Sequence, residues 1–136
     1  MKNSVVVDTN VILRWLLSDD PPLSARATAF WQAVVAGTES AFIAEAVFAE
    51  TVSALQHHYG VERAAIRHHL VGLIGIRHVD VANASVMAEA LGLYEATRAL
   101  SFIDAVSLAH ARHRGQPLMS FDQALNKAYK RLTMNP

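Results

Sequence analysis

Four acidic residues stand where a lone charge is hard to accommodate. Asp8 follows the apolar run Val5-Val6-Val7, and Asp122 follows Leu118-Met119-Ser120-Phe121. Asp104 interrupts Phe102-Ile103 and Ala105-Val106, and Glu50 lies among residues at helical spacing. An acid directly after a buried strand is accessible, yet so close to the core that leaving it unpaired is costly. Two such acids converging with a helix-edge Glu and a first-turn Asp concentrate negative charge that needs a cation to stay ionised. The chain has no cysteine, so thiolate zinc and cysteine nucleophiles are excluded. Carboxylate oxygens alone select Mg2+, or Mn2+ in its place.

Each acid also has an ordinary structural role. Asp8 and Asp122 both precede helical patterns, and Asp is a favoured N-cap. Ser101-Phe102-Ile103-Asp104 fits the Ser-x-x-Asp capping box. A capping acid on a first turn still has a lone pair free to face a metal, so the two roles coexist. Glu50 points within a fan that also holds Ile43, Val47 and Ala54, bordering an apolar face, while Glu45 lies at the opposite edge of the same arc. Periodicity does not choose between them; the solvated edge, usual for an acid, is assigned to Glu45.

The elements that must position these residues follow from pattern. Val5 to Val7 form a buried strand feeding a helix marked by Val11, Ile12, Trp15 and Leu16. Ser18-Asp19-Asp20-Pro21-Pro22 breaks that helix, Ser24 is placed to cap the next, and Gly37 ends it. Further helices are expected over Glu45 to His58, Val61 to Ile74, Ala84 to Leu93, Ser101 to Arg114 and Gln123 to Leu132. Short strands are expected at Ile76 to Val81 and Pro117 to Phe121. Parallel strands need long crossovers, so the class is α/β and helix-rich, with ligands expected at the carboxyl ends of the strands.

With 136 residues, 52% of them hydrophobic, the chain is expected to be one ordered domain over 1–136. Twelve basic and twelve acidic residues cancel, so any attraction to nucleic acid must be local. Ala105 to Pro136 holds five basic residues against one acid, making this the basic end. Neither a signal-peptide pattern nor a stretch of the ~20 apolar residues needed to span a membrane is found, which points to a cytoplasmic protein without a membrane partner.

Taken together, the motifs resemble those of the PIN-domain ribonucleases. Val7-Asp8-Thr9-Asn10-Val11-Ile12-Leu13-Arg14 is similar to the opening motif of that family, and Ala49-Glu50 to its mid-helix acid. Phe102-Ile103-Asp104-Ala105 resembles the third motif and Ser120-Phe121-Asp122 the last, with serine where threonine is more usual. The resemblance implies a three-layer fold around a central parallel sheet flanked by helices. It also implies an endonuclease that cuts RNA with one or two divalent ions held by Asp8, Glu50, Asp104 and Asp122. Asn10 and Ser120 would orient carboxylates from behind. Arg14, Arg112 and Arg114 are candidates for phosphate contact.

The length, and Leu13-Arg14-Trp15-Leu16-Leu17-Ser18-Asp19-Asp20-Pro21, are similar to the VapC-type toxins of toxin-antitoxin pairs. That likeness implies a small antitoxin partner and a two-fold homodimer, with Phe30, Trp31, Val34 and Phe48 as candidates for the antitoxin groove or, alternatively, for the toxin's own core. A housekeeping PIN nuclease is the nearest alternative. A haloacid-dehalogenase-like phosphatase resembles Asp-x-Asp at its first strand, where this chain has Asp8-Thr9-Asn10. The pairs His57-His58 and His68-His69 and the spacing His110-x-x-His113 do not form a His-Glu-x-x-His zinc motif.

Overall fold

The computed structural model describes residues 4–134, and the chain divides into two compact units with the boundary between Ala84 and Ser85. Among the described residues, the first unit holds all the β-structure. Strands β1 (Val5–Val6), β2 (Ala41–Ile43) and β3 (Val79–Val81) form an open sheet in the order β1-β2-β3. Both pairings are parallel, with Val5 opposite Ala41 and Ala41 opposite Val79. Helices therefore make the crossovers: α1 (Thr9–Leu17) and α2 (Pro21–Ala36) between β1 and β2, then α3 (Glu45–Ser53) and α4 (Arg63–Ile74) between β2 and β3. This is the α/β class expected from the pattern. Because the strands run the same way, Asp8, Ala44 and Asn83 all lie toward the carboxyl edge of the sheet.

Helix α1 ends at Ser18, which takes the left-handed conformation at φ 53°. Asp20, not Ser24, caps α2: its side chain accepts from the Leu23 N–H, and Pro21 and Pro22 occupy the first turn, where no N–H is missed. Ser24 is buried inside that helix. Gly37 closes it at φ 85°, and His78 Nε2 lies 3.2 Å from where a Cβ would stand, so a side chain there would be both strained and crowded. Strand β2 was not expected from the sequence, and Ile43, read as part of the Glu50 helix, belongs to it. Three residues are too short a run to show strand periodicity. Beyond Ser53 the helix widens into a π-helical turn, Ala54–His58.

The second unit holds α5 (Ala84–Ala96, beginning at the boundary), α6 (Phe102–Arg114) and α7 (Gln123–Met134). Leu100, Leu108, Leu125 and Ala128 form a buried cluster against which Leu93, Leu118, Tyr129 and Leu132 pack. The segment expected as a strand at Pro117 to Phe121 is not one. Its side chains still alternate, Leu118 and Ser120 half-buried, Met119 and Phe121 exposed, as an extended chain must. What is absent, among the described residues, is a ladder partner.

The C-terminal ends of α6 and α7 adjoin, because Ala111, Arg112 and Gly115 to Pro117 share a pocket with Tyr129 and Thr133. The connecting segment therefore runs back along α6, and the two helices point the same way. Their N-termini, one bearing Asp104 in its first turn and the other capped by Asp122, lie at the same end of the pair.

Candidate functional site

Three of the four acids do cap helices, and in each the cap leaves an oxygen over. Asp8 Oδ1 accepts from the Thr9 N–H at 2.7 Å while Asp8 itself is extended. Asp122 Oδ1 accepts from the Leu125 N–H at 2.8 Å. Ser101 and Asp104 complete a reciprocal capping box, with the Ser101 N–H donating to Asp104 Oδ2 at 3.3 Å and the Asp104 N–H to Ser101 Oγ at 3.1 Å. The second oxygen of each accepts no hydrogen bond from a described residue. The two N-termini at one end of the α6–α7 pair add positive dipole ends that favour negative charge there.

Glu50 is exposed on α3, and its carboxylate makes no hydrogen bond or ion pair with a described residue. Glu45, its rival, accepts from Asn83 Nδ2 at 2.8 Å. Thus Asp8 and Glu50 belong to the first unit, Asp104 and Asp122 to the second. Within neither unit do three or more described His, Asp or Glu side chains gather into a metal-holding group. The donor chemistry nevertheless suits a hard divalent cation: oxygen only, each carboxylate with a spare lone pair, and none neutralised by a described cation.

Ser120 acts on the Asp122 backbone. Its Oγ accepts from the Asp122 N–H at 3.0 Å, and Asn126 Nδ2 holds the Ser120 carbonyl at 2.8 Å. Sequence reasoning missed Asn126; its spacing of four from Asp122, one helical turn, was the available signal. Asn10 is exposed beside an apolar groove of about 370 Å3 that also holds Val6, Arg14, Arg26 and Phe30. Of the four residues considered for an antitoxin groove, Trp31, Val34 and Phe48 are 0% exposed and belong to the core; Phe30 alone of them lines this groove.

The arginines are largely engaged. Arg14 forms an ion pair with Asp19 and donates to Tyr59 Oη at 3.1 Å. The hydrogen bonds to Asp19 and Tyr59 raise its pKa, and the Arg14 hydrogen bond lowers that of Asp19. Arg112 Nε lies 3.5 Å from Glu89 Oε2, an ion pair without hydrogen-bond geometry, and His113 lies 3.7 Å from the other oxygen. Arg114 Nε donates to the neutral Gln116 Oε1 at 2.7 Å, which leaves its charge uncompensated there.

No helix among the described residues is long and apolar enough to cross a membrane. No curated protein and no solved structure matches the chain. A model of one family, described as the PIN domain, matches residues 5–131, a span that includes all four acids and both units. The chain belongs to the PIN domain family.

Proposed function

We propose that this PIN domain, one functional domain over the whole chain, is a divalent-metal-dependent endoribonuclease acting as the toxin of a VapC-type toxin-antitoxin pair. The observation that carries the reading is that the four acids at family-motif positions keep carboxylate oxygens free of protein partners, in a chain that matches the family along nearly its whole length. Asp8, Glu50, Asp104 and Asp122 would hold Mg2+, or Mn2+, directly or through water. A bound divalent ion supplies polarisation of the phosphate and a water of lowered pKa.

The protein groups divide the remaining work. The caps fix the three aspartates on helix N-termini, so their free oxygens are held rather than searching. Ser120 and Asn126 keep the Asp122 turn in place, and Asn10 is offered as a partner for a carboxylate. Arg14, Arg112 and Arg114 are offered for RNA phosphates, with Arg114 the least neutralised. A cognate antitoxin, a homodimer and a cytoplasmic location belong to the same proposal.

Purified protein incubated with total cellular RNA, with and without Mg2+, tests the chemistry: new ends should appear with metal and not with Asp8→Asn. Expression of the unaccompanied chain tests the biology. Growth arrest that an adjacent small reading frame relieves is the expected result. RNA cleavage in vitro without growth arrest would instead make this a housekeeping PIN nuclease.

A further inference from the structure

The pocket of about 490 Å3 at the C-terminal ends of α6 and α7 takes no part in the chemistry described so far. It stands about 12 Å along α6 from Asp104, the eight residues from Asp104 to Arg112 rising 1.5 Å each. Tyr129 forms one wall. Tyr129 is half-buried against the Leu100–Leu108–Leu125 cluster and also lines the pocket. Its hydroxyl makes no hydrogen bond with a described residue. A ring braced by the core on one side and open on the other is a stacking platform for a flat, unpaired base.

Polar groups surround that ring. Gln116 lines the pocket and gives its carbonyl oxygen to Arg114, leaving its amide N–H groups free to donate. The Thr133 hydroxyl, also lining it, donates to the Tyr129 carbonyl and keeps acceptor capacity. The charge nearby is positive: the ammonium groups of Lys127 and Lys130 on α7 form no ion pair or hydrogen bond with a described residue, and Arg114 faces only a neutral amide. Glu89, the acid in this region, lies within ion-pair distance of Arg112 and 3.7 Å from His113.

Resting on the ribonuclease reading, we infer that this pocket binds one base of single-stranded RNA a few nucleotides from the scissile phosphate. Tyr129 stacks on the base, Gln116 and Thr133 meet its edge, and Arg114 and Lys130 hold the adjoining phosphates. The strand then lies along α6 from the acid end to the basic end, so local charge recruits RNA although the net charge is zero. Preference for a base at that position would arise here, away from the carboxylates.

The test is photocross-linking of a short bromouridine-containing single-stranded RNA to the full chain without divalent metal, with the adduct mapped by mass spectrometry. Affinity is measured alongside by fluorescence anisotropy, and cleavage separately with Mg2+. The adduct is expected on Tyr129. Tyr129→Leu should weaken binding about ten-fold while Tyr129→Phe keeps it, as stacking requires. Lys130→Ala should lower the salt dependence by about one phosphate contact. Gln116→Ala, in an exposed loop, serves if Tyr129→Leu does not fold, and should also weaken binding.

Adducts confined to other segments, wild-type affinity in Tyr129→Leu and Gln116→Ala, or no RNA binding by the wild type would overturn the pocket. If the wild type cleaves RNA while those variants bind normally, the pocket falls and the nuclease stands. If the adduct and affinity losses appear without cleavage, the pocket stands and the nuclease falls.

Discussion

Asn83 donates its side-chain amide to Glu45 Oε2 across 2.8 Å, tying the turn after β3 to the first turn of α3. Asn83 holds a left-handed conformation at φ 54°, which asparagine tolerates better than most residues. The contact gives Glu45 a structural task and leaves Glu50, one and a half turns further on, without one. Glu50→Gln should therefore reduce RNA cleavage about 100-fold or more, as loss of a metal carboxylate does. Glu45→Gln should keep turnover and cost about 1 kcal/mol of stability. Initial rates and urea denaturation of both variants check this, and equal activity loss in the two would undo the choice.

The caps separate folding from chemistry. Asparagine caps a helix about as well as aspartate but carries no charge. Asp8→Asn and Asp122→Asn should thus melt close to the wild type and yet fail to cleave. Wild-type stability, and with it the melting temperature, should rise with millimolar Mg2+ or Mn2+, by about 2.7 kcal/mol of unfolding free energy when metal exceeds its Kd a hundred-fold, and Asp8→Asn should lose much of that gain. A melting curve indifferent to metal in the wild type would refute the shared site.

Much of the fold was legible where a residue has one physical job. Gly37 marks a left-handed helix end, the Ser101–Asp104 box marks a helix start, and each sits where expected. Strand β2 was not legible, because Ala41-Phe42-Ile43 is short and continuous with a helix-forming run. Leu118 to Phe121 misled for a different reason. Alternation reports an extended backbone, and whether that backbone finds a ladder partner depends on residues far away in sequence. Glu50 and Glu45 were inseparable for the same reason, since Asn83, which distinguishes them, lies some forty positions away.

Acid should loosen the α1–α2 junction. The Arg14 hydrogen bond depresses the Asp19 pKa in the folded state, so its contribution is present above the unfolded value and is lost as pH falls through the folded one. That window lies below the ordinary Asp value of about 3.9. Asp19 and Arg14 are solvent-accessible, so the effect is small. Asp19→Asn should flatten the acid limb of stability against pH and leave the neutral region nearly unchanged. An unaltered acid limb in urea titrations would mean that the ion pair contributes nothing.

Phe30 and Trp31 are neighbours with opposite roles. Trp31 is 0% exposed, stacks on Trp15 with ring centroids 4.8 Å apart, and donates its indole N–H to the Val11 carbonyl at 3.0 Å. Phe30 meets Trp31 edge-on at 5.2 Å, but it is half-buried and lines the open groove. Trp31→Ala removes a large core side chain, so it should cost about 3–5 kcal/mol and unfold a marginal domain. Phe30→Ala should cost about 1 kcal/mol and spare cleavage, since its side chain carries no group that could hold metal or phosphate. If an antitoxin uses the groove, co-purification with its partner should weaken for Phe30→Ala while the fold survives. Near-equal destabilisation by the two substitutions would place Phe30 in the core as well and remove it from any docking surface.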